Sequence, residues 1–213
     1  MVVDLILSRE YKASNKLTRI LYLREYSNFK DRLGEMTNPR VVYVTDMVSC
    51  SQKRYYRLSY PELAFSFEPV LVLGNLVHMG LEKLLEEEGY KVEVEFEKIF
   101  KINGVEFRVK GRVDAINSSE VVEIKTTRTD IKIPLEHHIL QLQLYLNLLN
   151  REKGILIYIT PERISEYQID REELDVSRIL LETIENTVHP RWSWECKYCT
   201  YARICPYKVL SEK

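Results

Sequence analysis

The chain has 213 residues, 45% of them hydrophobic and 30% charged, which allows one full core and excludes a disordered or fibrous chain. The formal net charge is −1, so the molecule as a whole does not attract nucleic acid, and any affinity for DNA has to come from a local groove. No run of about 18 apolar residues occurs, and the opening Met-Val-Val-Asp-Leu-Ile-Leu is too short for a signal peptide, so the expectation is a cytoplasmic protein with no membrane partner.

Leu17, Ile20, Leu21 and Leu23 recur at helical spacing within a charged stretch, which predicts a helix from Ser8 to Leu33. Val41 to Val44 is a short β-branched strand run. Thr45 and Asp46 are N-cap candidates for a helix carrying Cys50 and the polar Gln52-Lys53-Arg54. A loop from Pro61 to Pro69 leads to a helix from Leu73 to Glu88, ended by Gly89. Val92, Val94 and Phe96 then alternate with glutamates, the period of a half-buried strand, and Asn103-Gly104 is a type I′ hairpin signal. Strands are predicted from Val105 to Ile116 and from Val121 to Lys125, across an Asn117-Ser118-Ser119 turn. A helix from Glu136 to Asn150, strands from Gly154 to Thr160 and from Ile164 to Ile169, and a helix from Arg171 to Val188 complete the core. The tail after Pro190 is rich in cysteine and aromatic residues and too short for a core of its own. The pattern reads as a single α/β domain over residues 1–213 with a metal-stapled C-terminal patch.

Two constellations carry chemistry, one nested inside the other. The inner one starts with Asp114 and Glu123-x-Lys125. On a strand, Glu123 and Lys125 share one face, while Val122 and Ile124 point into the core. An Asp on the neighbouring strand can sit beside Glu123, and two close carboxylates need a cation such as Mg²⁺ or Mn²⁺. A lysine beside them can orient water or stabilise charge on a phosphate. Alone, this pattern is also that of a solvated strand face; here each charge interrupts a run that otherwise reads as buried. Gly74 and His78 lie one helical turn apart, as do Gln141 and Tyr145 on a helix otherwise full of leucine.

The outer constellation is Cys50 with Cys196-x-x-Cys199 and Cys205. In a reducing compartment the C-x-x-C spacing favours metal binding over two disulfides, and four thiolates suit either tetrahedral zinc or an iron–sulfur cluster. Basic residues gather at Lys53-Arg54-Arg57, at Lys125-Arg128-Lys132 and at Lys197-Arg203, the first group around Tyr55-Tyr56. Phosphate contacts and base stacking of that kind suit single-stranded DNA.

In this order and spacing, Gly74-x-x-x-His78, Asp114, Glu123-x-Lys125 and Gln141-x-x-x-Tyr145 resemble the RecB-type branch of the PD-(D/E)XK nuclease superfamily. One cysteine before these motifs and three after them resemble the iron–sulfur-containing CRISPR-associated RecB-like exonuclease family, from about Val44 to Pro206. Val113 precedes Asp114, so the literal Pro-Asp pair is absent. The resemblance implies a restriction-endonuclease-like fold: a mixed sheet flanked by helices, a helical N-terminal segment and a C-terminal iron–sulfur patch. It also implies that His78, Asp114, Glu123 and the Ile124 carbonyl hold Mn²⁺ or Mg²⁺, and that Lys125 positions the attacking water. Gln141 and Tyr145 would steady the DNA backbone or the lysine. Cys50, Cys196, Cys199 and Cys205 would hold an iron–sulfur cluster, 4Fe-4S ahead of 2Fe-2S. The implied reaction is phosphodiester hydrolysis in single-stranded or end-frayed DNA, leaving a 5′-phosphate, during CRISPR spacer acquisition beside the integrase complex. Three other readings stay open: a repair or mobile-element nuclease, a non-catalytic DNA-end adaptor, and a zinc-stabilised binding module. A homo-oligomer is compatible with each.

Overall fold

The computed structural model of the chain describes residues 14–209; residues 8–13 of the first expected helix lie outside the described residues. In chain order the elements are α1 (Lys16–Met36), β1 (Val41–Tyr43), α2 (Val44–Met47), α3 (Ser51–Ser59), α4 (Pro69–Glu87), β2 (Lys91–Ile102), β3 (Val105–Ile116), β4 (Glu120–Thr126), α5 (Glu136–Leu149), β5 (Lys153–Ile159), β6 (Ile164–Asp170) and α6 (Val176–Ile184). Single 3₁₀ turns at Pro61–Ala64 and Glu195–Tyr198 punctuate the loops.

One mixed six-stranded sheet organises the molecule. β2 and β3 form a long antiparallel hairpin, turned by Asn103 and Gly104, both at positive φ (49° and 79°), as a type I′ turn requires. The other edge of β3 is shared. β1 pairs in parallel with Arg108–Lys110, and β4 pairs antiparallel only at Ala115↔Val122 and Ile116↔Val121. β5 continues the sheet parallel to β4, and β6 closes it antiparallel to β5.

The sheet is covered on both faces. Val121, Leu156 and Tyr158 belong to a main core with Leu142, Leu146 and Leu180 of α5 and α6, all at or near zero exposure. Val122 and Ile124 point the other way, into a second core with Leu81 and Leu85 of α4. This two-sided burial explains why Val121 and Val122 are both apolar although they face opposite cores. Packing is close enough to dictate small residues: a Cβ on Gly154 would stand 2.8 Å from Leu142.

Several element boundaries depart from the sequence pattern, among them the start of α4 at Pro69 in place of Leu73, and three have a local reason. The helix expected to carry Cys50 breaks between α2 and α3, leaving Cys50 at the N-cap of α3. There the Cys50 N–H is taken by Glu195 and the Val48 carbonyl by Trp192, groups a continuous helix would have used itself. Asp46 does not head that helix; it sits on its third residue and accepts the Tyr43 N–H. α6 starts five residues later than expected: Glu172 and Leu174 donate their N–H groups to Gln143 and Asn147 of α5, and Asp175 caps Arg178.

Candidate active site and cysteine pocket

The site opens where β3 exchanges one partner for another. The β2–β3 ladder skips a single rung, Glu93 opposite Asp114, and Glu93 has φ of 48°. On the other side, pairing with β4 stops at Ala115. Asp114 is thus free of backbone pairing on both sides. Side-chain alternation also slips here: Val113 faces the main core, whereas Ala115 faces the second core. The Asp114 carboxylate fills the fork, its Oδ2 accepting the Ile124 N–H at 2.6 Å.

Glu123 is 2% exposed, so both faces of β4 are buried at the site. Its Oε1 accepts from Lys125 Nζ at 2.6 Å and from Gln141 Nε2 at 2.8 Å. Its Oε2 is buried with no partner. Burial pushes the Glu123 carboxyl above its ordinary range, against the opposing pull of Lys125. Gln141 Oε1 accepts from Lys125 at 3.0 Å, so a single amide fixes both members of the E-x-K pair. The amide also donates to the Tyr145 hydroxyl at 3.1 Å, and Tyr145 donates to the Arg112 carbonyl at 3.0 Å, beside the fork. Gln141 and Tyr145, one turn apart on α5, therefore act as a brace running from β3 to β4.

α4 closes the other side. A Cβ on Gly74 would stand 3.1 Å from Thr126 Oγ1, so glycine lets the helix approach the end of β4. One turn later, His78 Nδ1 lies 3.5 Å from Asp114 Oδ1 and 3.9 Å from Glu82 Oε1. Burial disfavours charge on His78, but Asp114 and then Glu123 outweigh it and raise its pKa. Ligand atoms of His78, Glu82 and Asp114 all lie within 4.8 Å of one another, an arrangement able to hold a metal ion. The sequence pattern overlooked Glu82; its signal was the i,i+4 spacing from His78.

All four cysteines line one cavity, together with Tyr56 and Glu195. The thiols are free, and burial pushes that of Cys50 up to about 11, so this sulfur stays neutral unless a cation binds it. The tail is tied to the Cys50 junction by protein bonds as well. Buried Glu195 accepts from the Cys50 N–H at 2.9 Å, from Lys53 at 3.1 Å and from the N–H groups of Arg191 and Trp192. Tyr56 donates to the Ile204 carbonyl at 3.0 Å and stacks on Tyr201.

This packing corrects the expectation of a DNA-facing basic group at Lys53-Arg54-Arg57. Arg54 is buried on the Pro39 carbonyl, Arg57 is paired with Asp46 at 2.6 Å, and Lys53 is held by Glu195. Of the adjoining tyrosine pair, Tyr56 is buried and Tyr55 exposed. Among the described residues, no helix is long and apolar enough to cross a membrane.

A sequence profile of the PD-(D/E)XK nuclease superfamily matches residues 82–206. The CRISPR-associated exonuclease Cas4 of Saccharolobus solfataricus is 42% identical over 191 residues, spanning 84% of this chain and 94% of the relative. The crystal structure of SSO0001 superposes with a TM-score of 0.78 at 42% identity, covering 85% of this chain and 96% of the other. An alkaline exonuclease from Laribacter hongkongensis shares the fold at a TM-score of 0.50 and 16% identity, over 74% of this chain and 88% of its own. The forked sheet, the E-x-K pair braced by Gln141 and the extent of these matches lead to one conclusion: the chain belongs to the CRISPR-associated Cas4 exonuclease family of the PD-(D/E)XK nuclease superfamily.

Proposed function

We propose that the chain is a divalent-metal-dependent exodeoxyribonuclease that acts on single-stranded DNA or frayed ends and processes DNA for CRISPR spacer acquisition beside the integrase complex. The observation that carries this reading is Glu123, with one oxygen fixed by Lys125 and Gln141 and the other buried and unpartnered. Leaving such an oxygen uncompensated costs about 1–3 kcal/mol or more, and a cation removes that cost. Oxygen donors with one imidazole suit Mg²⁺ or Mn²⁺. Asp114, Glu123, His78 and the Ile124 carbonyl would hold the ion. When bound, it supplies an activated water and neutralises charge on the phosphate.

The side chains divide the remaining work. Lys125 has three N–H donors and spends two, on Glu123 and Gln141; its side chain is 18% exposed, so the third can reach a water or a phosphate oxygen. Gln141 holds that lysine and Glu123 in register, and Tyr145 anchors Gln141 to the β3 backbone. Cys50, Cys196, Cys199 and Cys205 would hold the iron–sulfur cluster, 4Fe-4S ahead of 2Fe-2S. In support, all four thiols line one cavity.

The test is digestion of end-labelled single-stranded and duplex DNA with Mn²⁺ or Mg²⁺, by wild type, Glu123→Ala and Lys125→Ala. Metal-dependent trimming that both variants lose, with folding intact, is expected. Cleavage at the wild-type rate by nuclease-free Glu123→Ala protein would reject the site. Wild-type protein that binds DNA ends but never cuts them would favour the adaptor reading.

A further inference from the structure

α4 turns Leu81 and Leu85 toward the second core but buries a carboxylate more fully than either. Among its 19 residues only Glu82 is buried, at 7% exposure, while Leu71, Leu73, Leu76, Met79 and Leu84 stand 48–62% exposed. Burying leucine favours folding; burying a carboxylate opposes it unless the charge is paired. Among the described residues Glu82 has no side-chain hydrogen bond. Its nearest basic group, His78 Nδ1, is 3.9 Å away, and the like-charged Asp114 lies within 4.8 Å. Folding alone gives no reason for a carboxylate at this position.

An independent observation comes from the opposite wall. Glu123 Oε2 on β4 is buried without a partner. Asp114 stands between the two, with Oδ1 toward His78 and Oδ2 on the N–H of Ile124, the residue after Glu123. We propose that Glu82 is itself a ligand of the divalent cation, sharing it with His78 and Asp114, in addition to the set assigned above. The inference rests on the nuclease reading, which puts a cation beside Asp114.

The experiment is Mn²⁺ binding to the full chain without DNA, followed by calorimetry or by the electron paramagnetic resonance of free Mn²⁺, for wild type, Glu82→Gln and Glu123→Gln. Glu82→Gln keeps the side chain's shape and should weaken Mn²⁺ binding about 10–100-fold. Its metal-free Tm should stay level or rise, and that of Glu82→Leu should rise, because each removes a buried carboxylate that accepts no hydrogen bond among the described residues. Wild-type Mn²⁺ affinity in Glu82→Gln, or a lowered metal-free Tm in either Glu82 variant, overturns the inference. If the wild type binds no Mn²⁺, or Glu123→Gln binds it unchanged, the nuclease reading itself fails. If only Glu82→Gln binds it unchanged, that reading stands and Glu82 drops out.

Discussion

Gln141 is the residue whose loss should be most informative. It contacts both Glu123 and Lys125 but offers no charge of its own. Gln141→Leu should therefore lower kcat about 10²-fold through misplacement of the lysine, with a smaller change in KM for DNA. Single-turnover digestion against wild type checks this, and an equal rise in KM would instead assign Gln141 to DNA binding. His138 reports on acid stability. Its Nδ1 lies 2.9 Å from the Tyr158 hydroxyl, which also accepts the Leu135 N–H. Burial, then Lys125 and His137, pushes its pKa down to about 2. The unfolded chain takes up a proton below about 6.5 that the native state refuses. Stability is thus complete above that pH and declines as pH falls toward 2, by up to about 1.4 kcal/mol per unit. Urea midpoints at pH 7.5 and 5.5 should differ less for His138→Asn than for wild type.

At the scale of elements, β3 is the piece that cannot be loosened. Gly111 lies between the fork and the β1 pairing, and a Cβ there would stand 2.5 Å from the Phe96 ring and 3.0 Å from Tyr145. Gly111→Ala should cost about 1–3 kcal/mol in a chemical denaturation curve and displace the brace as well. Wild-type stability and activity would mean that the two rings move aside freely. The hairpin, the strands and the helices of the core were legible in the sequence because alternation, the Asn103-Gly104 turn and the helical leucines are local signals. So were the E-x-K and Q-x-x-x-Y spacings, whose side chains meet across 16 to 18 residues. The slipped rung at Asp114 was not legible, since Val92, Val94 and Phe96 still alternate regularly through it. Nor were the break before Cys50 and the late start of α6, where distant side chains capture backbone groups. Arg54 and Arg57 misled for the same reason: their partners lie 11 to 21 residues away along the chain, on segments with no recognition pattern.

For the molecule as a whole, segments 145 residues apart in sequence meet at the cysteine pocket. Cys50→Ser or Cys205→Ser should abolish the broad absorption near ~400 nm expected of anaerobically purified protein and lower its Tm together, because ligand binding at such a site is part of folding. Colourless wild type carrying one zinc would replace the cluster with a zinc knot and leave the nuclease site untouched. Colour that persists in Cys50→Ser would confine the ligands to the tail. The Glu195 network has a further consequence, for biogenesis. Its bonds from the tail to Cys50, Lys53, Arg191 and Trp192 use no sulfur, so they can assemble the four thiols into one receptacle without help from iron. Loading of the proposed cluster would then be capture by a prepared mould, with a high effective concentration of the last ligand, in place of a search by a loose tail. In reconstitution with iron and sulfide, Glu195→Ala should slow the rate of colour development far more than it lowers the final yield.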